Sequence, residues 1–245
     1  MYNNKKILCV IPARGDSKGL PDKNIKKLLG KPLIVYSIEQ ALNSKYIDRV
    51  IVSTDDKKIA DISRKYGAEV PFVRPKKLAT DDANGVDVVL HAISWMEKNI
   101  ETFDIVILLQ PTSPLRTTED INNSIKLLFL KRAQTIVSIC ETEHHPYWSN
   151  TLPKNGNMKN FIRKEIINKN RQQLPTFYRL NGAIYIAYCN YLKNLKGFIS
   201  KRTYAYIMSQ ERSVDIDDYI DFEIAKILLK KREIKCIKML ELYHD

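Results

Sequence analysis

Apolar residues along this chain follow two spacings that alternate. Predominantly apolar, largely β-branched runs occur at residues 6–13, 49–54, 104–109 and 135–140. Runs of that length with few interleaved polar residues predict strands buried on both faces. Between them the apolar positions recur at helical spacing. Leu33, Tyr36, Ile38, Ala41 and Leu42 mark a helix over residues 32–42, with Pro32 suited to its first turn. Ile59, Ala60 and Ile62 mark a second helix, capped by Asp55 or Asp56. Residues 86–96 form a third, and Thr117 or Thr118 opens a fourth, with Glu119 and Asp120 where the helix dipole favours acids. A short strand is expected at residues 69–73. Strand and helix in alternation over residues 6–140 predict right-handed crossovers and an α/β fold with a doubly wound, mostly parallel sheet.

The rhythm breaks at residues 141–179, which are polar, rich in Asn, and carry Pro146, Pro153 and Pro175. An insertion of that length is expected to be a lid or an interface element. Strands follow at residues 183–187 and 204–208. A final amphipathic helix runs from Asp217 or Asp218 to about Lys231. No repeat or low-complexity linker interrupts the chain, so one domain over residues 1–245 is expected.

Composition narrows the class. The chain is 44% hydrophobic and 28% charged, which fits a folded globular protein. No apolar run reaches the roughly 18 residues needed to cross a bilayer. The N-terminus enters the first strand without a separate apolar region or a cleavage site, so a cytoplasmic protein without a membrane partner is expected. Cys9, Cys140, Cys189 and Cys236 are widely spaced and make no metal or disulfide pattern. The net charge of +12 admits two partners, a nucleic acid or a small polyanion. The lysines are scattered, and no aromatic-rich RNA-binding signature accompanies them. A non-enzymatic RNA-binding protein is therefore the remote alternative, and no nucleic-acid partner is expected.

Three segments carry candidate chemistry. The first follows the first strand and reads Arg14-Gly15-Asp16-Ser17-Lys18-Gly19-Leu20-Pro21-Asp22-Lys23-Asn24. Ligands of open α/β sheets bind beyond the carboxyl ends of strands. A loop there with two glycines, a serine and three cations can wrap N–H groups around phosphate and offset its charge. It is neither a dinucleotide fingerprint nor a Walker loop. The second, Gln110 to Arg116, follows another buried strand. The Gln110 amide donates and accepts together, as reading a base edge requires, whereas a plain Pro-rich turn would ask nothing of it. The third is Val214-Asp215-Ile216-Asp217. In extended chain the two carboxylates share one side, and such a pair suits Mg²⁺ unless Asp217 merely caps the last helix. His144-His145-Pro146 is expected to be structural or a dimer contact, since adjacent turn positions rarely converge on one ion.

The strings IPARGDSKGLPDKN, LLQPTSPLR, RQQLP, NGAIYI and SVDID, in that order, resemble the acylneuraminate cytidylyltransferase family, also called CMP-sialic acid synthetases. The match spans residues 7–225, is thinnest between Asn150 and Asn170, and leaves the last twenty residues uncovered. The resemblance implies a nucleotide-diphospho-sugar-transferase-like fold. It implies transfer of CMP from CTP to the anomeric hydroxyl of a nine-carbon acidic sugar, an N-acylneuraminate, with legionaminate, pseudaminate or another sugar acid as alternatives. It implies that Arg14, Ser17, Lys18, Lys23, Asn24, Arg74 and Gln110 bind CTP, with Arg14, Lys23 and Asp217 catalytic. Asp215 and Asp217 would carry Mg²⁺. Arg171, Gln172, Arg179, Asn181 and Tyr185 would receive the sugar. It also implies a homodimer in which the 141–179 insertion reaches the neighbouring subunit's site. Asp16 and Asp22 depart from the family's usual residues, and Asp16 is expected to point outward or meet a lysine.

Overall fold

The computed structural model describes residues 1–16, 19–162 and 164–241, with the side chains of Glu165 and of residues 235–241 excepted. The expected Ser17 and Lys18 contacts lie outside those residues. The strands are β1 Ile7–Pro12, β2 Lys27–Leu28, β3 Lys31–Pro32, β4 Arg49–Ser53, β5 Ile105–Leu109, β6 Thr135–Glu141, β7 Tyr178–Tyr188 and β8 Thr203–Met208. The helices are α1 Leu33–Leu42, α2 Lys57–Lys65, α3 Gly85–Asn99, α4 Thr118–Leu130, α5 Cys189–Leu195 and α6 Tyr219–Glu241. Six strands form one sheet in the order β4-β1-β5-β7-β6-β8, and β2 and β3 form a small hairpin. β1 pairs in parallel with β4 and β5, β6 pairs in parallel with β8, and β7 runs antiparallel to both of its neighbours. The sheet is thus mostly parallel, as the alternation predicts.

The apolar runs are explained by what covers each face. In β1, Ile7, Cys9 and Ile11 join α1, α2 and α4 in one core, while Leu8 and Val10 join α3 and α5 in another. β5 divides the same way, with Ile105, Ile107 and Leu109 on one side and Val106 and Leu108 on the other. Each of these side chains contributes roughly 1.5–3 kcal/mol by leaving water. A third cluster of Leu20, Leu28, Leu33, Leu115, Ile216, Phe222, Ala225 and Leu229 seats α6 against the loops at the strand ends. No described helix is long and apolar enough to cross a membrane.

Four expectations need correction. Residues 69–73 are not a strand but touch β4 through isolated bridges at Glu69 and Val73. Pro71 between them has no N–H to donate to a ladder. β7 begins at Tyr178 rather than residue 183, so Arg179 and Asn181 lie in a strand and not in the insertion's tail. Their polar side chains hid a segment whose backbone pairs with Cys140 and Glu141. α5 was not anticipated, because seven residues leave too little periodicity to see. α6 runs ten residues past Lys231.

The ladder between β6 and β7 shifts register between Val137 and Ile139. β7 bulges there through Asn181, Gly182 and Ala183. Asn181 is buried and fully used: Oδ1 accepts from Ser138 Oγ at 2.6 Å and Ala183 N at 3.3 Å, and Nδ2 donates to Ser213 Oγ at 2.9 Å. The amide therefore ties the bulge to β6 and to Ser213. Asn181→Ala should lower the unfolding free energy by about 2–4 kcal/mol, because it removes three buried hydrogen bonds, as urea titration would show.

Candidate active site

The loops after β1, β4 and β5 meet the segment before α6 at the carboxyl edge of the sheet. They enclose a cavity of about 550 Å³ lined by Arg14, Lys23, Asn24, Arg74, Gln110, Asp215 and Asp217 among others. Seven expected site residues from four distant stretches of chain therefore share one space.

Glycines set the close approaches. A Cβ on Gly19 would lie 2.4 Å from the Asp217 carbonyl oxygen, so the basic loop abuts the acidic segment directly. Gly182, at φ +71°, leaves no room for a Cβ either: it would lie 2.4 Å from Gln110 Oε1 and 3.1 Å from Asp215 Oδ2. Strand β7 thus passes beneath the Gln110 amide and the Asp215 carboxylate. Backbone ties the same pieces, since Ile216 N donates to Thr112 O at 2.9 Å.

The described cations of the cavity, Lys23, Arg14 and Arg74, are all engaged. Lys23 Nζ donates to Ile216 O at 2.7 Å and to Asp217 Oδ1 at 3.2 Å. Asn24 Nδ2 donates to Arg14 O at 2.9 Å, which fixes the loop that carries both. Arg14 Nη1 lies 2.6 Å from Asp81 Oδ1 across the cavity mouth. Arg74 is buried and donates from Nε to Ser53 Oγ at 3.1 Å and from Nη2 to Ser53 O. Burial brings its guanidinium down to about 10, with Asp55 opposing and Arg14 adding to the fall, so it stays charged at neutral pH. Asp16 is exposed, as expected.

The acidic pair is arranged as the extended-chain argument requires. Ile216 is buried and Val214 packs beside it, while both aspartates face the cavity. Capping falls to Asp218, whose Oδ1 accepts from Ile220 N at 2.8 Å and Asp221 N at 3.0 Å. Asp217 is thereby left to the cavity, with its side chain 82% exposed. Asp215 Oδ1 is buried without a hydrogen-bond partner. Burial pushes the Asp215 carboxyl above its usual range, against a hydrogen bond from Thr112, and the Asp217 charge adds to the rise. An orphaned carboxylate oxygen beside a second carboxylate fits a hard dication. Among the described residues no cluster of three His, Cys, Asp or Glu side chains adds to the pair. Phosphate and water oxygens would complete the shell, which is the habit of Mg²⁺.

The residues expected at the sugar are dispersed. Arg179 lines a second cavity of about 550 Å³, which shares Asp215 and Asp217 with the first. Its guanidinium forks onto Glu143 at 2.6 and 3.0 Å. Tyr185 stacks on Phe198 at 5.2 Å, and burial, then the Asp215 charge, push its hydroxyl up. Asn181 is spent inside the bulge. Arg171 and Gln172 line a separate hollow of about 260 Å³, where Arg171 Nη2 donates to Thr142 O at 3.3 Å. His145 is structural on its contacts. Its Nδ1 accepts from Tyr147 N at 3.2 Å, leaving Nε2–H to donate to Pro175 O at 3.0 Å, and Phe177 packs edge-on against the ring.

One residue had no role assigned from sequence. Arg116 is fully buried. It donates to Ala183 O at 2.6 Å, Gln110 O at 3.3 Å, Ser37 Oγ at 2.6 Å and Gln40 Oε1 at 3.0 Å. It locks the Gln110 loop to α1 and to the bulge. A cation closing a Pro-rich turn after a wholly apolar strand was the available signal.

Residues 8–234 match a family model described as cytidylyltransferase. The chain is 36% identical over 232 residues to the CMP-N,N'-diacetyllegionaminic acid synthase of Legionella pneumophila, covering 92% of this chain and 97% of that one. It is 36% identical over 241 residues to the N-acylneuraminate cytidylyltransferase of Escherichia coli, covering 98% of this chain but 56% of that longer protein. Among solved structures, a CMP:2-keto-3-deoxy-manno-octonic acid synthetase complexed with CTP superposes with a TM-score of 0.68 at 19% identity, covering 93% of this chain and 99% of that one.

Two glycines separate backbone strain from contact. Gly182 and Gly156 share a φ near +70°, but a Cβ on Gly156 would meet nothing within 4 Å. Gly182→Ala should therefore cost about 1–3 kcal/mol more stability than Gly156→Ala. Equal losses in parallel urea melts would count against the close approach.

Proposed function

The chain belongs to the cytidylyltransferase family, and from that premise we propose that it joins CMP from CTP to the anomeric hydroxyl of an N-acylneuraminate-type nine-carbon acidic sugar. The reading is supported above all by one observation: Arg14, Lys23, Arg74, Gln110 and the Asp215–Asp217 pair line a single cavity at the strand ends.

The anomeric hydroxyl oxygen bonds to the α-phosphorus of CTP and gives up its proton to Asp217 or to water, the bond from that phosphorus to the bridging β-phosphate oxygen breaks, and pyrophosphate leaves with the electron pair. Such a transfer depends on positioning and on neutralising charge. Arg14, Lys23 and Asn24, with Ser17 and Lys18 by resemblance, hold the phosphates and ribose. Lys23 is pinned by Ile216 O and Asp217, so its ammonium is fixed where charge develops on the transferring group. Gln110 and Arg74 shape the nucleotide pocket. Among the described lining residues, Arg14, Lys23 and Arg74 are matched one for one by Asp81, Asp215 and Asp217. A triphosphate entering that balance needs added positive charge, which supports Mg²⁺ on Asp215 and Asp217. When bound there, the ion would neutralise phosphate charge.

The insertion exposes Trp148, Leu152, Met158 and Ile167. Exposed apolar residues of this number support an interface, and we place a homodimer there. Arg171 and Gln172, distant from the acidic pair in their own subunit, would then serve the sugar at the neighbour's site, and Arg179 and Tyr185 would serve it from within. Legionaminate and pseudaminate share the carboxylate and anomeric hydroxyl that this chemistry uses, and they remain the alternative substrates. We place the reaction in the cytoplasm.

Incubation with CTP, Mg²⁺ and a panel of nonulosonic acids should yield CMP-sugar and pyrophosphate; no turnover with any of them would reject the assignment. Asp217→Asn should lower kcat by at least about 10²-fold without changing the melting temperature, since the side chain is exposed. Arg171→Ala should raise KM for the sugar more than KM for CTP. Mixing and reassociating Arg171→Ala with Asp217→Asn subunits should restore activity at limiting sugar, because one site of each mixed dimer is intact. No restoration would place Arg171 in its own subunit's site.

A further inference from the structure

Helix α6 carries two apolar stripes on opposite sides. Phe222, Ala225 and Leu229 face the protein and are buried in the cluster with Leu20, Leu28 and Leu115. Ile220, Ile227 and Ile234 recur every seven residues on the far side and are 68%, 63% and 55% exposed. Seven residues are nearly two turns, so the three stack in one row with a drift of only about 20° per repeat. Ile224 flanks the row and is 42% exposed. A surface helix normally keeps one apolar stripe and turns charge to water. A second stripe at coiled-coil spacing calls for another helix.

The charges along α6 say which helix fits. Asp217, Asp218, Asp221 and Glu223 sit at its start, and Lys226, Lys230, Lys231 and Arg232 follow. A parallel copy would set acid against acid and base against base. An antiparallel copy sets the acidic end against the basic end twice over, and a two-fold axis beside Ile227 brings Ile220 opposite Ile234 at both ends. Such self-complementarity is the requirement of a two-fold interface.

We propose that α6 is a self-association surface whose occupant is α6 of a second copy of this chain, packed antiparallel about an axis near Ile227. This face is separate from the insertion and does not depend on the proposed reaction. The row offers apolar surface on the order of 400 Å² per copy. Two such faces bury less than the roughly 1,200 Å² of a stable interface. The association is therefore weak and concentration-dependent, and it adds one step to whatever assembly the insertion forms.

Sedimentation velocity over a range of concentrations tests this. The wild-type mass should rise by one doubling, Ile227→Glu should weaken that step at least tenfold, and the melting temperature should stay unchanged because Ile227 lies outside the core. Ile220→Lys should act in the same way and serves if Ile227→Glu does not fold. In a Cys236→Ser background, a mixture of Ile220→Cys and Ile234→Cys should form a disulfide-linked mixed dimer on mild oxidation, and Ile220→Cys alone should not. Identical sedimentation of the wild type and both exposed-row variants would overturn the proposal. A doubling that Ile227→Glu abolishes, with Ile220→Cys cross-linking to itself but not to Ile234→Cys, would overturn the antiparallel arrangement.

Discussion

A buried positive charge with no hydrogen-bonded carboxylate sits behind the active site, and much of the site's geometry hangs from it. The Arg116 guanidinium is hydrogen-bonded by two carbonyls, a serine hydroxyl and a glutamine amide oxygen. Burial brings it down to about 10, against smaller opposing effects from Cys9 and Asp120, which leaves it charged at neutral pH. A charge in that position needs rigid acceptors, and here both terminal nitrogens find them while Nε is buried without one. Those acceptors belong to α1, to the Gln110 turn and to the β7 bulge, so satisfying Arg116 fixes all three relative to one another. Ser37 Oγ also donates to Gln110 O at 3.1 Å, and Gln40 Nε2 donates to Pro114 O at 2.8 Å, which closes the network.

The bulge in β7 is the second constraint. Bulges occur next to active sites because they re-aim backbone without breaking a sheet. Here the extra residues place Gly182 between Gln110 and Asp215. The antiparallel strand therefore backs Gln110 and Asp215, while the parallel strands deliver loops to the cavity walls. Rigid backbone thus lies behind the hydrogen-bonded cations and carboxylates.

The shared frame explains why similarity alone leaves the sugar open. Relatives named for a legionaminic acid derivative and for N-acylneuraminate are both 36% identical to this chain. Arg14, Lys23, Arg74 and Gln110 gather in one cavity within a single chain, whereas Arg171 and Gln172 stand apart in an insertion with exposed apolar residues.

The sequence by itself determined the parallel core, the three site segments and the side to which each acidic residue points. These follow from periodicity and from strand ends, which are local properties of the chain. It also marked Lys23, Gln110 and Asp215 as members of one site. Tertiary structure alone decided that Asp218, and not Asp217, caps α6, because the choice depends on where Lys23 and the cavity lie. It alone turned Asn181 inward, since its role comes from Ser138 and Ser213, 43 and 32 residues away. It alone gave Arg116 its place, because a buried cation is recognisable only by the acceptors that surround it, and those come from segments that meet nowhere in the sequence.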